Sequence, residues 1–173
     1  MPYRRQRLYC AAMTHITLHH KSAHFSRCGR YRYALWRRWG DGDDYALMVG
    51  LNPSTDDPDV DNPTVRRCIR FAHDWGYSGV CVVNLFAWRT VSPAALLAAE
   101  APVGPRNDHW LRKTAADAAV VVAGWGNHGA HRARAAQVRQ LLPHLQILRL
   151  NASGEPAHPL YLPARLTPRP WPS

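Results

Sequence analysis

A three-layer α/β/α domain is the fold class this sequence predicts, with helices on both faces of a central, mostly parallel four-stranded sheet. Three observations predict it. The chain has 173 residues, 46% of them hydrophobic, enough to bury one core and short for two. Runs at 46–49, 80–83 and 119–123 are continuously apolar, as strands covered on both faces are and half-solvated strands are not. Segments with helical punctuation lie between them, and a strand, helix, strand order makes neighbouring strands parallel through crossovers.

Residues 1–29 are basic and histidine-bearing without a sustained period, and read as an N-terminal arm; 30–173 then form a single domain. In the arm, His15 with His19 and His20 with His24 are four apart, a metal-binding spacing on a helix, but no carboxylate accompanies them. Solvent-exposed or DNA-facing imidazoles are expected instead. Runs 31–39 and 45–51 are β-rich and flank Gly40-Asp41-Gly42-Asp43-Asp44, turn chemistry that predicts a hairpin adding an N-terminal strand to the sheet. A loop rich in Pro, Asp and Ser runs through 52–62. Asn62, or Asp61 before it, caps a helix with Pro63 at its first position. Val65, Cys68, Ile69 and Ala72 form its apolar stripe, leaving Arg66, Arg67 and Arg70 on other faces. The strand at 80–83 terminates in Asn84. Helices are expected near 93–100, 106–117 and 128–142, the third apolar strand ends at Gly124-Trp125-Gly126, and 146–150 reads as the fourth strand before a proline-rich tail.

Charge narrows the partners. Lys plus Arg total 22 against 12 Asp plus Glu, for a formal net charge of +10, which points to a polyanion, and DNA is the expected partner. Only Lys21 and Lys113 are lysines; arginine's planar fork suits phosphates and base edges, and two isolated lysines offer little for a Schiff-base step. Cys10, Cys28, Cys68 and Cys81 form no C-x-x-C pair, so they read as free thiols in a reducing compartment rather than as a zinc site or a disulfide framework. No metal or organic cofactor is expected. No apolar stretch approaches 18 residues and the basic start is not followed by a signal-type segment. A cytoplasmic monomer without membrane association is the expectation.

In parallel sheets ligands bind in the crevice at the carboxyl ends of the strands. Asn52, Asn84, the Gly124-Trp125-Gly126 turn and His158-Pro159 all fall just after strands. Asn84 carries both a donor and an acceptor, so it can match the pairing edge of uracil or, with its amide flipped, of cytosine. Asp56 and Asp61 share the loop with Asn52.

Gly50-Leu51-Asn52-Pro53-Ser54 resembles the first motif of the uracil-DNA glycosylase superfamily, 80–85 with Asn84 its second strand, 120–126 its third strand and Trp-Gly turn, and His158-Pro159-Leu160 its His-Pro loop. The resemblance spans roughly 45–161, is nearest to an uncharacterised bacterial branch, and implies a uracil-DNA glycosylase-like fold. It implies a monofunctional DNA glycosylase that hydrolyses the N-glycosidic bond of a flipped base to leave an abasic site. His158 would donate to the leaving base, Asn52 would position water, and Asp56 would supplement it as a base. Gly50, Leu51, Pro53, Ser54, Asn84 and Phe86 would line the base site, with Phe86 or Trp88 stacking on the ring. Ser54 stands where strict uracil enzymes carry a bulky tyrosine, which implies tolerance of 5-modified pyrimidines; related enzymes remove glucosylated hydroxymethylcytosine from phage DNA in antiviral defence. Arg66, Arg67, Arg70, Arg89, His128, Arg132 and Arg134 would contact DNA. A uracil or hydroxymethyluracil repair glycosylase, a nucleoside or nucleotide N-glycosidase, and a non-catalytic nucleic-acid-binding module stay open beside that reading.

Overall fold

The structure is a computed structural model, and it describes residues 15–55 and 57–173. Its α/β character is as the sequence predicts, but the sheet is larger and more mixed. Among the described residues seven strands run in the order β1-β2-β4-β3-β5-β6-β7: β1 (His20–Phe25), β2 (Arg32–Arg38), β3 (Ala46–Gly50), β4 (Gly79–Asn84), β5 (Val120–Ala123), β6 (Gln146–Ile147) and β7 (Arg169–Pro170). The pairings β3·β4, β3·β5 and β5·β6 are parallel. Those of β1·β2, β2·β4 and β6·β7 are antiparallel, so the expected four-stranded sheet is corrected to a mixed seven-stranded one.

Two further expectations give way. The segments flanking the Gly-Asp turn do not pair with each other, because β4 lies between β2 and β3. Ala46, Leu47, Met48 and Val49 are all buried, and a strand apolar on both faces belongs in the sheet's middle, with a partner on each side. The hairpin partner of β2 is β1, inside the segment read as an arm. Strand β1 is exposed at both ends and half-buried at its centre, so it shows no period. His20 and His24 lie on it, where residues four apart stand about 13 Å from each other, which removes the helical metal pairing; Cys10 lies outside the described residues.

The four helices among the described residues are α1 (Pro63–Asp74), α2 (Pro93–Ala98), α3 (Asn107–Ala116) and α4 (Arg134–Leu141). Helix α1 starts as expected: the Asn62 side chain accepts from Val65 N at 2.9 Å, and Pro63 opens the first turn. A cap contributes about 1 kcal/mol. Burial of Val65, Ile69 and Phe71 at about 1.5–3 kcal/mol each decides where the helix packs, against the face formed by Leu35, Met48, Val82 and Val122. The other face, with Leu47, Val49, Val83 and Ala123, is covered by Leu96 of α2, Leu111 of α3, and Ala135 and Val138 of α4. The sheet is thus the middle of three layers. The single helix expected at 128–142 is broken: residues 127–133 form a 3-10 segment, Arg132 and Ala133 take left-handed backbone (φ 53° and 55°), and α4 starts only at Arg134. No helix among the described residues is long and apolar enough to cross a membrane.

Candidate functional site

Because β3, β4 and β5 are parallel, their carboxyl ends share one edge, and a cavity of about 200 Å³ opens there between the sheet and α1. This is below the roughly 300–1,000 Å³ of pockets that enclose whole small molecules; it fits one substituted ring. Gly50, Leu51, Asn52, Pro53, Ser54, Asn84 and His158, expected at the site, all line it. Hydrogen bonding beyond the strand ends fixes the walls: Leu85 N donates to Gly50 O at 2.9 Å, Phe86 N to Leu51 O at 3.0 Å, and Thr90 N to Pro53 O at 3.0 Å. Met48, Val65, Cys68 and Val82 supply apolar lining. Burial pushes the Cys68 thiol up to about 12, so it is a neutral lining group rather than a nucleophile.

Asn84 is 4% exposed, and its Nδ2 is buried with no hydrogen-bond partner. An unmade buried donor costs about 1–3 kcal/mol, so the amide is set to receive an acceptor from a ligand. Its backbone is held from behind: Asn107 Nδ2 donates to Asn84 O at 2.9 Å and to Leu85 O at 3.0 Å, and Arg134 Nε donates to Leu85 O at 2.9 Å. A Cβ on Gly50 would stand 2.8 Å from Asn84 Oδ1, so glycine there makes room for the amide.

His158 is well desolvated, which lowers its pKa and keeps the ring neutral near pH 7. Its Nδ1 accepts from Leu160 N at 3.2 Å, which leaves the proton on Nε2 as a donor. His158 leads directly into Pro159, whose Cδ and Cγ approach so closely that a Cβ on Gly124 would meet them at 2.9 Å.

Asn52 is tied into the turn it closes. Its Nδ2 donates to the backbone oxygens of Pro53 at 3.1 Å, Trp88 at 3.4 Å and Thr90 at 2.9 Å, which leaves Oδ1 as its acceptor for a ligand or water. Asp56 lies outside the described residues. Asp61 is committed to Arg37, whose Nε donates to Oδ1 at 2.7 Å, with Lys21 Nζ 3.7 Å from Oδ2.

Several expected contacts are elsewhere. Phe86 is fully buried in the core on the α3 and α4 face, its ring 5.8 Å from His131; past Asn84 the chain turns toward the helices, so Phe86 cannot stack on a ligand. Arg134 is 3% exposed and donates to Leu85 O and, at 2.6 Å, to Asp108 Oδ1. It is an internal strut and not a DNA clamp. Arg67 fastens α1 to the loop after His158 through Pro159 O and Leu162 O. Arg132 donates to Ala99 O and Glu100 O, both at 2.8 Å, and Arg70 Nε to Asp74 Oδ2 at 3.0 Å. Arg89 Nη1 donates to Gly29 O at 3.0 Å and Nε to Ser54 O at 3.4 Å. Arg66 and His128 are exposed, although Arg66 Nη1 also donates to Asp61 O at 2.6 Å.

Sequence reading missed Arg32, Thr90 and Asn107. Arg32 is 5% exposed and lines the cavity; an arginine inside a run that otherwise reads as a buried strand was the available signal. Nothing in the sequence marked Asn107, because its role is to hold backbone that is remote along the chain.

Fold and site together define a three-layer α/β domain with a small, polar-mouthed cavity at the carboxyl edge of its parallel strands. The chain belongs to the family described as Protein of unknown function (DUF1643), whose model matches residues 32–160. That finding overturns the resemblance to the uracil-DNA glycosylase superfamily: the match is to this family of unknown function, and the Asn-Pro turn, strand-end asparagine and His-Pro loop do not carry membership of the other. No curated protein and no solved structure matches the chain.

Proposed function

We propose that the protein binds a single base extruded from DNA and hydrolyses its N-glycosidic bond. One observation carries the reading: the orphaned Nδ2 of Asn84, the Nε2 of a neutral His158 and the Oδ1 of Asn52 belong to residues lining one ring-sized cavity. A base inside a duplex is unreachable for such a pocket, so the nucleotide is flipped out. Asn84 Nδ2 donates to an acceptor on the base edge. Water held by Asn52 Oδ1 adds to C1′ as the C1′–N bond breaks; the bonding pair leaves with the base, and the water's proton is released. His158 Nε2–H donates to the base oxygen on which negative charge develops, where a placed donor contributes most. The transition state is dissociative, so orienting water matters more than deprotonating it. Ser54 is small and lines the cavity, which favours a pyrimidine with a substituent at C5. The +10 charge supports a polyanionic substrate rather than a free nucleoside.

The test is incubation with DNAs containing uracil, hydroxymethyluracil, hydroxymethylcytosine and its glucosylated forms, followed by assay for alkali-labile sites. Cleavage of a 5-substituted pyrimidine that is lost in His158→Ala is expected. Absence of abasic sites in every substrate overturns the reading.

A further inference from the structure

We infer that the turn joining β1 to β2 is a second nucleic-acid contact, gripping backbone phosphates beside the cavity mouth through Arg27 and Arg30. This rests on the nucleic-acid reading above. The turn is well defined: Ser26 N donates to Tyr31 O and Gly29 N to Ser26 O, both at 3.0 Å, and Tyr31 N donates to Ser26 Oγ at 3.2 Å.

Its position follows from topology. Strand β2 is antiparallel to β4, so the β1–β2 turn lies at the same edge as the carboxyl ends of the parallel strands. One guanidinium fixes it there. Arg89 bonds Gly29 O within the turn and Ser54 O on the cavity wall, while Arg89 N donates to Arg30 O at 3.0 Å. The Arg89 guanidinium also covers Phe25, with Cζ 4.8 Å from the ring centroid.

Several arginines near this edge are turned onto protein oxygens: Arg67, Arg89 and Arg132 all donate to backbone carbonyls. Arg27 and Arg30 differ. Both are exposed, and neither forms an ion pair with a carboxylate among the described residues. Two uncommitted guanidinia on a fixed turn, beside a pocket that takes a base, are placed to meet phosphates flanking the extruded nucleotide.

Cys28 stands between them, exposed. A hydrogen bond with the Ser26 hydroxyl, followed by smaller effects that include the Arg30 charge, lowers its thiol below the usual range. It is therefore a built-in reporter of occupancy.

The experiment alkylates the full chain with iodoacetamide, with and without an excess of 20-base-pair duplex, and reads Cys28 separately from Cys10 by peptide mapping. In parallel, Arg27→Ala/Arg30→Ala is compared with the wild type for duplex affinity across a salt series. Protection of Cys28 by at least threefold is expected, with tenfold or greater loss of affinity in the double variant near 0.1 M salt and a log–log salt slope shallower by about 2, as loss of two phosphate contacts requires. Both side chains are exposed, so the variant keeps the wild-type melting temperature. If the wild type binds duplex but Cys28 is unprotected and the variant binds equally well, the turn is not a contact and the proposal falls while the base-excision reading stands. If the wild type does not bind DNA at all, both fall.

Discussion

Asn84→Ala offers a test in which the sign of the effect carries the information. In the folded protein Asn84 Nδ2 is buried without a partner, and removing such a donor returns about 1–3 kcal/mol. Truncation also loses carbon contacts worth about 0.8 kcal/mol per methylene-sized group. Little new void is created, because the side chain already borders a cavity of about 200 Å³. The balance favours the variant by roughly 0.5–2 kcal/mol. For a chain of this length about 2–4 °C accompanies each kcal/mol, so its Tm should rise by roughly 1–8 °C. The assay is thermal unfolding followed by far-UV circular dichroism at pH 7.5, run beside the excision assay, where the variant should lose discrimination among bases while duplex affinity holds. A Tm that falls by several degrees would refute the reasoning. It would mean that the amide serves the fold and is not held in reserve for a ligand.

Three further outcomes follow from the same geometry. In Gly50→Ala the new Cβ meets Asn84 Oδ1 at 2.8 Å, so base excision should drop at least tenfold with little change in Tm; unchanged turnover would show that the Asn84 amide need not sit where it does. Asn52→Asp replaces an amide donor to three backbone carbonyls by a carboxylate facing them, and should cost about 2–4 kcal/mol in urea unfolding; a stable and more active variant would instead make residue 52 a general base. His158 has its folded-state pKa lowered by burial. Above about pH 6.5 both folded and unfolded forms are neutral there and the group contributes nothing, whereas on acidification the unfolded chain takes the proton first. Stability should therefore fall from about pH 6.5 down to the lowered pKa and then level off, and the difference between wild type and His158→Gln across pH 4–8 should show this step.

What was legible in the sequence was the frame of the site. Short apolar runs ending in Asn84 and at Gly124 could only be central strands, and the rule that such strands deliver ligands to their carboxyl ends brought Asn52, Asn84 and His158 to one cavity. Asn62 and Pro63 announced α1 because capping is local chemistry. Edge strands were not legible: β1 is mostly exposed and β7 wholly so, and hydrogen bonding to a neighbour far along the chain leaves no period to read. Arginine roles were equally hidden. Arg66 and Arg134 look alike in sequence, yet one is exposed and the other is sealed against Leu85 O and Asp108. Motif likeness proved the weakest guide, since turns of Gly, Asn, Pro and His recur wherever a parallel strand must end in a polar pocket, whatever the ancestry.

The seating of Pro159 against Gly124 divides the cavity into two kinds of wall. On one side the imidazole is carried by a stiff pyrrolidine ring wedged onto bare backbone and clamped from α1 by Arg67, a location set by contact and therefore hard to shift. The facing side is an eleven-residue connection spanning 52–62, held by the Asn52 amide, by the Arg37–Asp61 pair and by side chains reaching its backbone from other elements, Arg89 to Ser54 O, Arg37 to Pro58 O and Lys21 to Asp59 O. Changes of ligand preference across relatives should thus accumulate in that connection, with the histidine side acting as the fixed jaw of a vice whose other jaw is set by exchangeable side-chain bonds.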